Sequence, residues 1–526
     1  MQTLKRLLRM LFRRVEAAGD YAFGPAWNPF SNLGTLGWFF YWIVAASGIY
    51  LYVFFDTGIT EAYRSLERIT HEHFMVGSVM RSFHRYASDG LVVVTFLHLA
   101  REFSLDRLRG RRWFSWFTGV PLLWFIYICG ITGYWMVWDT LAQYVAIATT
   151  EWLDTLPFFG EPIAANFLSD SALSGRFFTL MVYIHIAVPL FMLMLMWVHI
   201  QRLTDAKTNP PKGLAVGTLA ALLVLSVVFP AVSQGPANLA TVPQTLGIDW
   251  FYLTGYPLLD SVPGGVMWLV AVGTTVLLAL LPWVPPQRLV TAEVHLDNCN
   301  GCSRCEADCP YTAIVMAPRT DGAPYELQAV VSADKCVSCG ICAGACPTAM
   351  PFRRAGALIP GIELPDVSIA GLRERTLAAA ARLDGDGRVI VYGCDHAVGL
   401  SALATDNAAV VTLPCVGALP PAFIDFVISR RHAEGVFVAG CSPSACYFRL
   451  GDEWTRRRVA GQRDPYLRAR VPRERIHLSF VASTARRGEE MAEFRAAVAA
   501  LGPLPARPAR SPRSAETGTD EERSRA

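Results

Sequence analysis

Six apolar runs decide what this chain can become. Residues 33–55, 79–103, 113–138, 176–202, 214–231 and 264–284 each approach the length of about 20 residues that carries a helix across a bilayer core. Backbone polar groups in lipid must be satisfied within their own segment, so these runs predict six transmembrane helices and exclude a wholly soluble fold. The 52% hydrophobic content agrees, and it is local, since no run beyond about residue 286 is long enough to cross. A net charge of +3, with no basic stripe carrying interleaved aromatics, excludes nucleic acid as a partner class. The opening MQTLKRLLRMLFRR is basic and amphipathic and lacks the apolar core and cleavage site of a signal peptide, so residues 1–20 are predicted to form an interfacial helix. Lys and Arg crowd the N-terminus and the segments after the second and fourth runs, whereas Asp139, Glu151, Asp154 and Glu161 lie in the intervening loops. The positive-inside rule therefore predicts a multi-pass protein of the cell inner (cytoplasmic) membrane, with the N-terminus and everything beyond residue 287 in the cytoplasm.

His84 and His98 lie fourteen residues apart in the second run, and His185 and His199 repeat that interval in the fourth. Fourteen helical residues advance ~21 Å and close nearly four turns, so each pair occupies one helix face at two depths. Two such helices can clamp two planar haems, with one imidazole on either side of each iron. His84 then pairs with His185 toward the outer face, and His98 with His199 toward the cytoplasmic face. Core histidines bonded to nearby carbonyls are the plainer alternative, but ionisable groups in lipid are costly, and that reading does not account for two pairs at one interval. Gly34 and Gly48 in the first run, and Gly119 and Gly133 in the third, share the interval. A missing side chain at each depth lets a flat group approach the helix.

Residues 20–285 resemble cytochrome b of the cytochrome bc and bf complexes, nearest the plastid-type branch. The resemblance rests on TEAYRSLERIT, RSFHRYAS, TGV at 118–120, GITGYWMVWD at 130–139 and RFFTL before the fourth-run histidines. It implies an all-α polytopic domain over residues 21–287, with six transmembrane helices and a di-haem four-helix bundle holding two haem b. It further implies haem contacts from the four glycines, Arg81 as the partner of a haem propionate, and a quinol/quinone oxidoreductase core acting within a larger complex. GIDWFYLTGYPLLD resembles the family's Pro-Glu-Trp-Tyr segment, so Asp249 stands for the carboxylate that accepts a quinol proton, followed by Trp250, Phe251 and Tyr252. Ile248 replaces the proline, Asp the Glu, and Phe251 the tyrosine; an interfacial aromatic belt with a solvated Asp competes with that reading. TDAKTNPPKG resembles the family's inner quinone stretch, with Thr204 where respiratory relatives often carry histidine. Arg202, Asp205 and Lys207 there either protonate a quinone or anchor a helix end. Cys129 reads as a small buried side chain, and no cysteine offers a place for an additional covalent haem.

The other twelve cysteines follow residue 298. CNGCSRCEADCP and CVSCGICAGACP are each C-x2-C-x2-C-x3-C-P, the bacterial run that holds [4Fe-4S] clusters and lends its fourth cysteine to the other cluster. Cys299, Cys302, Cys305 and Cys346 are thus assigned to one cluster, and Cys336, Cys339, Cys342 and Cys309 to the second, in an α+β ferredoxin-like domain over residues 288–353. Residues 354–385, rich in Gly, Ala and Pro, read as a linker. RVIVYGC, VVTLPC and GVFVAGC then alternate with helical stretches, predicting a small α/β domain over residues 386–500. Its Cys394, Cys415, Cys441 and Cys446 fall at the carboxyl ends of parallel strands. Residues 501–526 read as a disordered tail. This last domain resembles the small iron–sulfur subunit that connects a hydrogenase to heterodisulfide reductase. The resemblance implies one [2Fe-2S] cluster on the four cysteines and docking to a flavin-bearing partner; structural thiols are the alternative. His396 is either a neighbour of the cluster or a loop histidine.

These parts line up as a wire: outer quinone site, outer haem, inner haem, two [4Fe-4S] clusters, one [2Fe-2S] cluster, soluble partner. The expected role is a respiratory-chain membrane subunit moving electrons between the quinone/quinol pool and a cytoplasmic flavoprotein or heterodisulfide-reductase-like complex. Two alternatives stay open. One is a bc-type subunit with a Rieske or cytochrome c subunit outside and an added cytoplasmic electron entry. The other makes the iron–sulfur half chiefly an assembly module. A homodimer is implied by the resemblance alone.

Overall fold

The computed structural model describes residues 2–158, 162–167, 175–284, 289–352 and 357–504. Its first part is all helix: α1 (Gln2–Phe23), α2 (Leu33–Phe54), α3 (Glu61–His71), α4 (Phe74–Ser104), α5 (Trp113–Val137), α6 (Thr140–Asp154), α7 (Gly175–Ile200), α8 (Lys212–Val228), α9 (Tyr256–Leu259) and α10 (Gly264–Leu280). Among the described residues, four spans are long and apolar enough to cross a membrane, Leu33–Phe54, Gly110–Val137, Gly175–Ile200 and Gly264–Trp283. The remaining two apolar runs are helical as well. α8 has 17 residues, at the lower end of the range that crosses the ~30 Å hydrocarbon core. α4 has 31 residues but carries Arg81, Arg85, Asp89 and Arg101, and these charges find partners inside the protein.

α2 packs along α4 and α5 along α7, around a core that includes Leu36, Phe40, Leu91, Val94, Ile126, Met181 and Met192. The outward faces stay apolar, as on Leu190, Met194, Leu269 and Leu277, which suits lipid as the solvent. α3 and α6, which no apolar run announced, close the end of the bundle near His84 and His185. α1 does not lie free. Phe12 is buried, Glu16 pairs with Arg101 at 2.7 Å, Arg9 donates to the Ser104 carbonyl at 3.0 Å, and Lys5 pairs with Asp106, tying α1 to the end of α4.

The second part begins with β1 (Glu293–Val294), α11 (Arg304–Asp308), β2 (Ile314–Pro318), β3 (Leu327–Val331), α12 (Ile341–Ala345) and β4 (Ile362–Glu363). β2 and β3 form an antiparallel hairpin, and β1 pairs antiparallel with β4. α13 (Ile369–Ala380) follows, then β5 (Val389–Cys394), β6 (Ala408–Leu413), α14 (Pro421–Ser429), β7 (Gly435–Ala439), α15 (Gly451–Val459), β8 (Ile476–Ser479) and α16 (Thr484–Ala500). The four strands make one parallel sheet in the order β6-β5-β7-β8. α13 and α14 share a core with one face of the sheet, whereas Met491, Phe494 and Val498 of α16 pack on Val389, Val391 and Phe437 on the other.

The stretch read as a linker is structured. β4 extends the ferredoxin-like part. α13, capped by Ser368 accepting from the Gly371 N–H at 3.1 Å, buries Ile369, Leu372, Thr376 and Ala379. Its Ala-rich composition hid an i, i+3, i+7, i+10 apolar stripe. One continuous core then joins both cysteine-bearing domains. Residue 1, the boundary at 287–288, residues 353–356 and the tail beyond 504 lie outside the described residues.

Candidate redox sites

α4 carries His84 and His98, and α7 carries His185 and His199. The His84 and His185 rings stand 6.1 Å apart, centroid to centroid. Each imidazole is backed by a glycine of the helix packed against its own. A Cβ added at Gly48 would lie 2.9 Å from His84 Cε1, at Gly133 3.0 Å from His185 Cε1, at Gly119 3.2 Å from His199 Cε1, and at Gly34 3.5 Å from His98 Cε1. α2 runs antiparallel to α4, so Gly34 and Gly48 meet His98 and His84 in reverse order. The shared interval thus has a local cause: the glycines clear room for the imidazoles themselves.

Hydroxyl groups sit beside one ring nitrogen of three of the four histidines. Ser47, Thr118 and Thr132, each one residue before a glycine, donate their only hydroxyl proton to the Ile43, Phe114 and Ile128 carbonyls at 2.7 Å. The same oxygens lie 3.3, 3.2 and 3.0 Å from the Nδ1 atoms of His84, His199 and His185, and the Val44 carbonyl lies 3.0 Å from His84 Nδ1. With the hydroxyl proton given to the carbonyl, Nδ1–H donates to the same oxygen, the tautomer that leaves the Nε2 lone pair for a metal. The donor set and the glycine-cleared gaps therefore fit a group held by Nε2 from both sides. Leu33 precedes Gly34, so His98 lacks this device. Ser-Gly or Thr-Gly at three of the four glycines is the sequence signal of this device.

Arg81 is engaged by protein groups: Nη1 donates to Thr70 Oγ1 at 2.6 Å and meets Glu67 at 3.4 Å, and Nη2 donates to Ser233 Oγ at 2.7 Å. At the same end Asp249 is not solvated, its side chain being 2% exposed. Arg85 reaches it at 2.9 Å, the Tyr134 hydroxyl donates to it, and the Phe251 N–H donates to it at 2.8 Å. Arg85 also pairs with Asp89. The segment splits in two. Trp250 and Phe251 point outward, 65% and 48% exposed, while Tyr252 is buried against Gly130 and donates to the Ser88 carbonyl at 3.3 Å. Burial pushes the Tyr252 phenol up, so it stays protonated. Arg85, Asp89 and Tyr134 were not singled out from sequence; charges inside an apolar run were the signal.

The stretch after α7 touches the cysteine domains. Thr204 N–H donates to the Pro310 carbonyl at 3.1 Å, Arg449 donates to the Thr204 and Asp205 carbonyls at 3.0 and 3.2 Å, and Lys207 lies 3.7 Å from Glu453. Arg202 stacks over Phe114 at 4.1 Å. Cys129 is half-buried in α5.

The ferredoxin-like part holds two cavities. Cys299, Cys302, Cys305 and Cys346 line one, and Cys309, Cys336, Cys339 and Cys342 line the other, so each run's fourth cysteine crosses over. Left-handed turns at Gly301 and Gly340 shape them; a Cβ at Gly301 would stand 2.4 Å from the Leu327 carbonyl oxygen. Burial and neighbouring sulfurs push the Cys305 and Cys339 thiols up to about 12, a cost that a cationic cluster removes by binding thiolate. In the α/β domain, Cys394 ends β5, and Cys415 and Cys441 stand two residues beyond β6 and β7. This is the carboxyl edge of the sheet, where open α/β folds place sites. Cys394 Sγ lies 3.7 Å from Cys441 Sγ, and all four cysteines are buried. Hydrogen bonding from Cys415 and Cys441 pulls the Cys394 thiol below the ordinary thiol range. Gly451 keeps the spot open, since its Cβ would meet Cys415 Sγ at 2.1 Å. His396 stacks on Tyr447 at 3.6 Å, and burial beside Arg112 and Arg107 holds it neutral, with its pKa down at about 3.

A helical bundle with paired histidines and a cysteine-lined α/β region defines a multi-pass membrane electron-transfer subunit. Comparison with known proteins gives the particular composition. Residues 20–207 match the family cytochrome b/b6/petB, residues 298–350 the 4Fe-4S dicluster domain, and residues 388–502 the methyl-viologen-reducing hydrogenase delta subunit. The chain thus carries, in this order, a region similar to cytochrome b/b6, a region similar to the dicluster domain and a region similar to the hydrogenase delta subunit, a composition that implies haem b and iron–sulfur clusters. Cytochrome b of Rhodospirillum rubrum is 24% identical over 299 residues, covering 50% of this chain and 72% of that protein. Cytochrome b of Rickettsia prowazekii is 24% identical over 292 residues, covering 49% and 72%. A solved chain of a hyperthermophilic respiratory complex III aligns at 20% identity with a TM-score of 0.39, over 49% of this chain and 75% of that one.

Proposed function

We propose that this protein exchanges electrons between the quinone/quinol pool and a cytoplasmic flavoprotein or heterodisulfide-reductase-like complex. Two haems b, two [4Fe-4S] clusters and one [2Fe-2S] cluster carry them. His84 with His185 and His98 with His199 would hold the haems, and the three cysteine quartets the clusters. One observation carries the reading: the loops that follow the histidine helices bond directly to the residues beside Cys309 and Cys446.

Two-electron quinol oxidation releases two protons, so the reacting end needs a base within hydrogen-bond reach. Asp249 is that base in this reading. Arg85 pairs with it, Tyr134 fixes its orientation, and exposed Trp250 and Phe251 offer an apolar ledge for a quinone ring. The haems supply one-electron acceptors when bound. The positive-inside rule favours a cytoplasmic side for the basic loops and the cysteine domains they touch, and in that orientation each electron moved inward works against the membrane potential by ~2.3 kcal/mol per 100 mV.

Rapid mixing of the purified protein with quinol under anaerobic conditions tests this. The haem and iron–sulfur signals are expected to be reduced together on the timescale of turnover. Iron–sulfur signals that never exchange with the haems would leave an assembly module instead. Asp249→Asn is expected to slow quinol-dependent haem reduction by about 10²-fold while haem content stays unchanged; an unchanged rate removes Asp249 from proton transfer.

A further inference from the structure

The order of the cysteine sites departs from a simple line. The Cys394, Cys415, Cys441 and Cys446 quartet does not sit at the far end. Arg107, in the loop between α4 and α5, donates to the carbonyls of Ala445 and Cys446, both at 3.0 Å. Arg112 donates to the Tyr447 carbonyl at 3.0 Å, and Tyr447 donates to the Asp106 carbonyl at 3.3 Å. Arg107 is also 3.3 Å from Glu102, and Glu102 lies one helical turn beyond His98 on the same face, within about 6 Å. A short chain of contacts thus runs from His98 through Glu102 and Arg107 to Cys446.

On its other side the quartet meets the ferredoxin-like part. The loop that follows Cys415 lies so close to α12 that a Cβ at Gly344 would stand 2.0 Å from the Gly417 carbonyl oxygen. Gly344 lies between Cys342 and Cys346, which serve different cavities. The buried Arg458 clasps the contact, donating to the Gly417 carbonyl at 2.8 Å and pairing with Asp308. Exposure completes the order: the C-terminal quartet is buried throughout, whereas Cys302 is exposed.

We propose that the C-terminal quartet is an internal station at the membrane junction, reached from His98 through Glu102 and Arg107, and that the Cys299, Cys302, Cys305 and Cys346 site is the solvent-facing terminus. This rests on the electron-transfer reading above and reverses the order in which the soluble partner would be met. One electron passing along the path oxidises one site and reduces the next, with no bond broken and no proton moved.

Paramagnetic resonance of the loaded full-length protein tests the order, with Cys394→Ser and Cys302→Ser assigning the signals. The signal lost in Cys394→Ser is expected to relax faster beside oxidised haem than the signal lost in Cys302→Ser. The Cys302-dependent signal is expected to be the first oxidised by ferricyanide, a water-soluble probe. The opposite ranking overturns the proposal. Arg107→Gln is expected to shift the midpoint potential of the Cys394-dependent signal at unchanged iron and haem content, with Arg107→Lys restoring it in part; an unmoved potential removes Arg107 from the path. Clusters that dithionite reduces but quinol never does would instead bring down the electron-transfer reading itself.

Discussion

At the residue scale, Gly48 shows how little space separates function from its loss. A side chain there runs into His84 at 2.9 Å, and Ser47 beside it is already bonded to the Ile43 carbonyl and cannot turn away freely. Gly48→Val is therefore expected to displace His84 and, under the proposed assignment of two haems, to cost the protein the one at His84 and His185, the His98 and His199 pair surviving; low-temperature haem spectra check it. Thr132→Val is a milder change. It leaves His185 Nδ1 without its 3.0 Å partner, and loss of such a supporting bond typically weakens metal retention ~10–100-fold, which haem titration of the depleted protein would read.

At the element scale, α12 and the turn after Cys415 approach as backbone against backbone. A side chain at Gly344 meets a carbonyl that has no room to retreat, because Arg458 holds it from the other side. Gly344→Val is expected to destabilise this contact by about 1–3 kcal/mol, seen as faster amide hydrogen exchange at residues 416–419. Gly488→Ala, on an open face of α16, is the comparison: it removes helix-interior glycine and is expected to stabilise by up to ~1 kcal/mol. α4 makes the complementary point. Its charges shorten its hydropathy signal, yet Arg81, Arg85 and Arg101 are each paired, so the helix tolerates them.

At the scale of the whole molecule, one core runs from the ferredoxin-like hairpin into the parallel sheet, and cysteines are part of its fabric. Removing iron is expected to raise hydrogen exchange across β2, β3 and α12, and through the shared core in the first turn of α14, while α2, α4, α5 and α7 stay protected. Equal loosening of the membrane helices would contradict this division. The basic loops 105–112 and 201–207 complete the assembly. They read as orientation signals in the sequence and serve in the fold as the seat of both cysteine domains.

Sequence by itself determined what depends on one element's own periodicity. The paired histidines and glycines, the two four-cysteine runs, the strand-end cysteines and the long apolar helices all announce themselves through spacing, because a helix or a strand repeats at a fixed interval and a cluster needs fixed bites of chain. Tertiary structure alone decided the rest: that glycines clear imidazoles, that Arg85 pairs with Asp249, that residues 369–380 form a packed helix, and that Cys446 lies against the loop after α4. Each joins residues far apart along the chain, as Arg107 and Cys446 are separated by 339 positions. Local pattern fixes which face a residue occupies, whereas the partner it meets there is set by how all the faces pack.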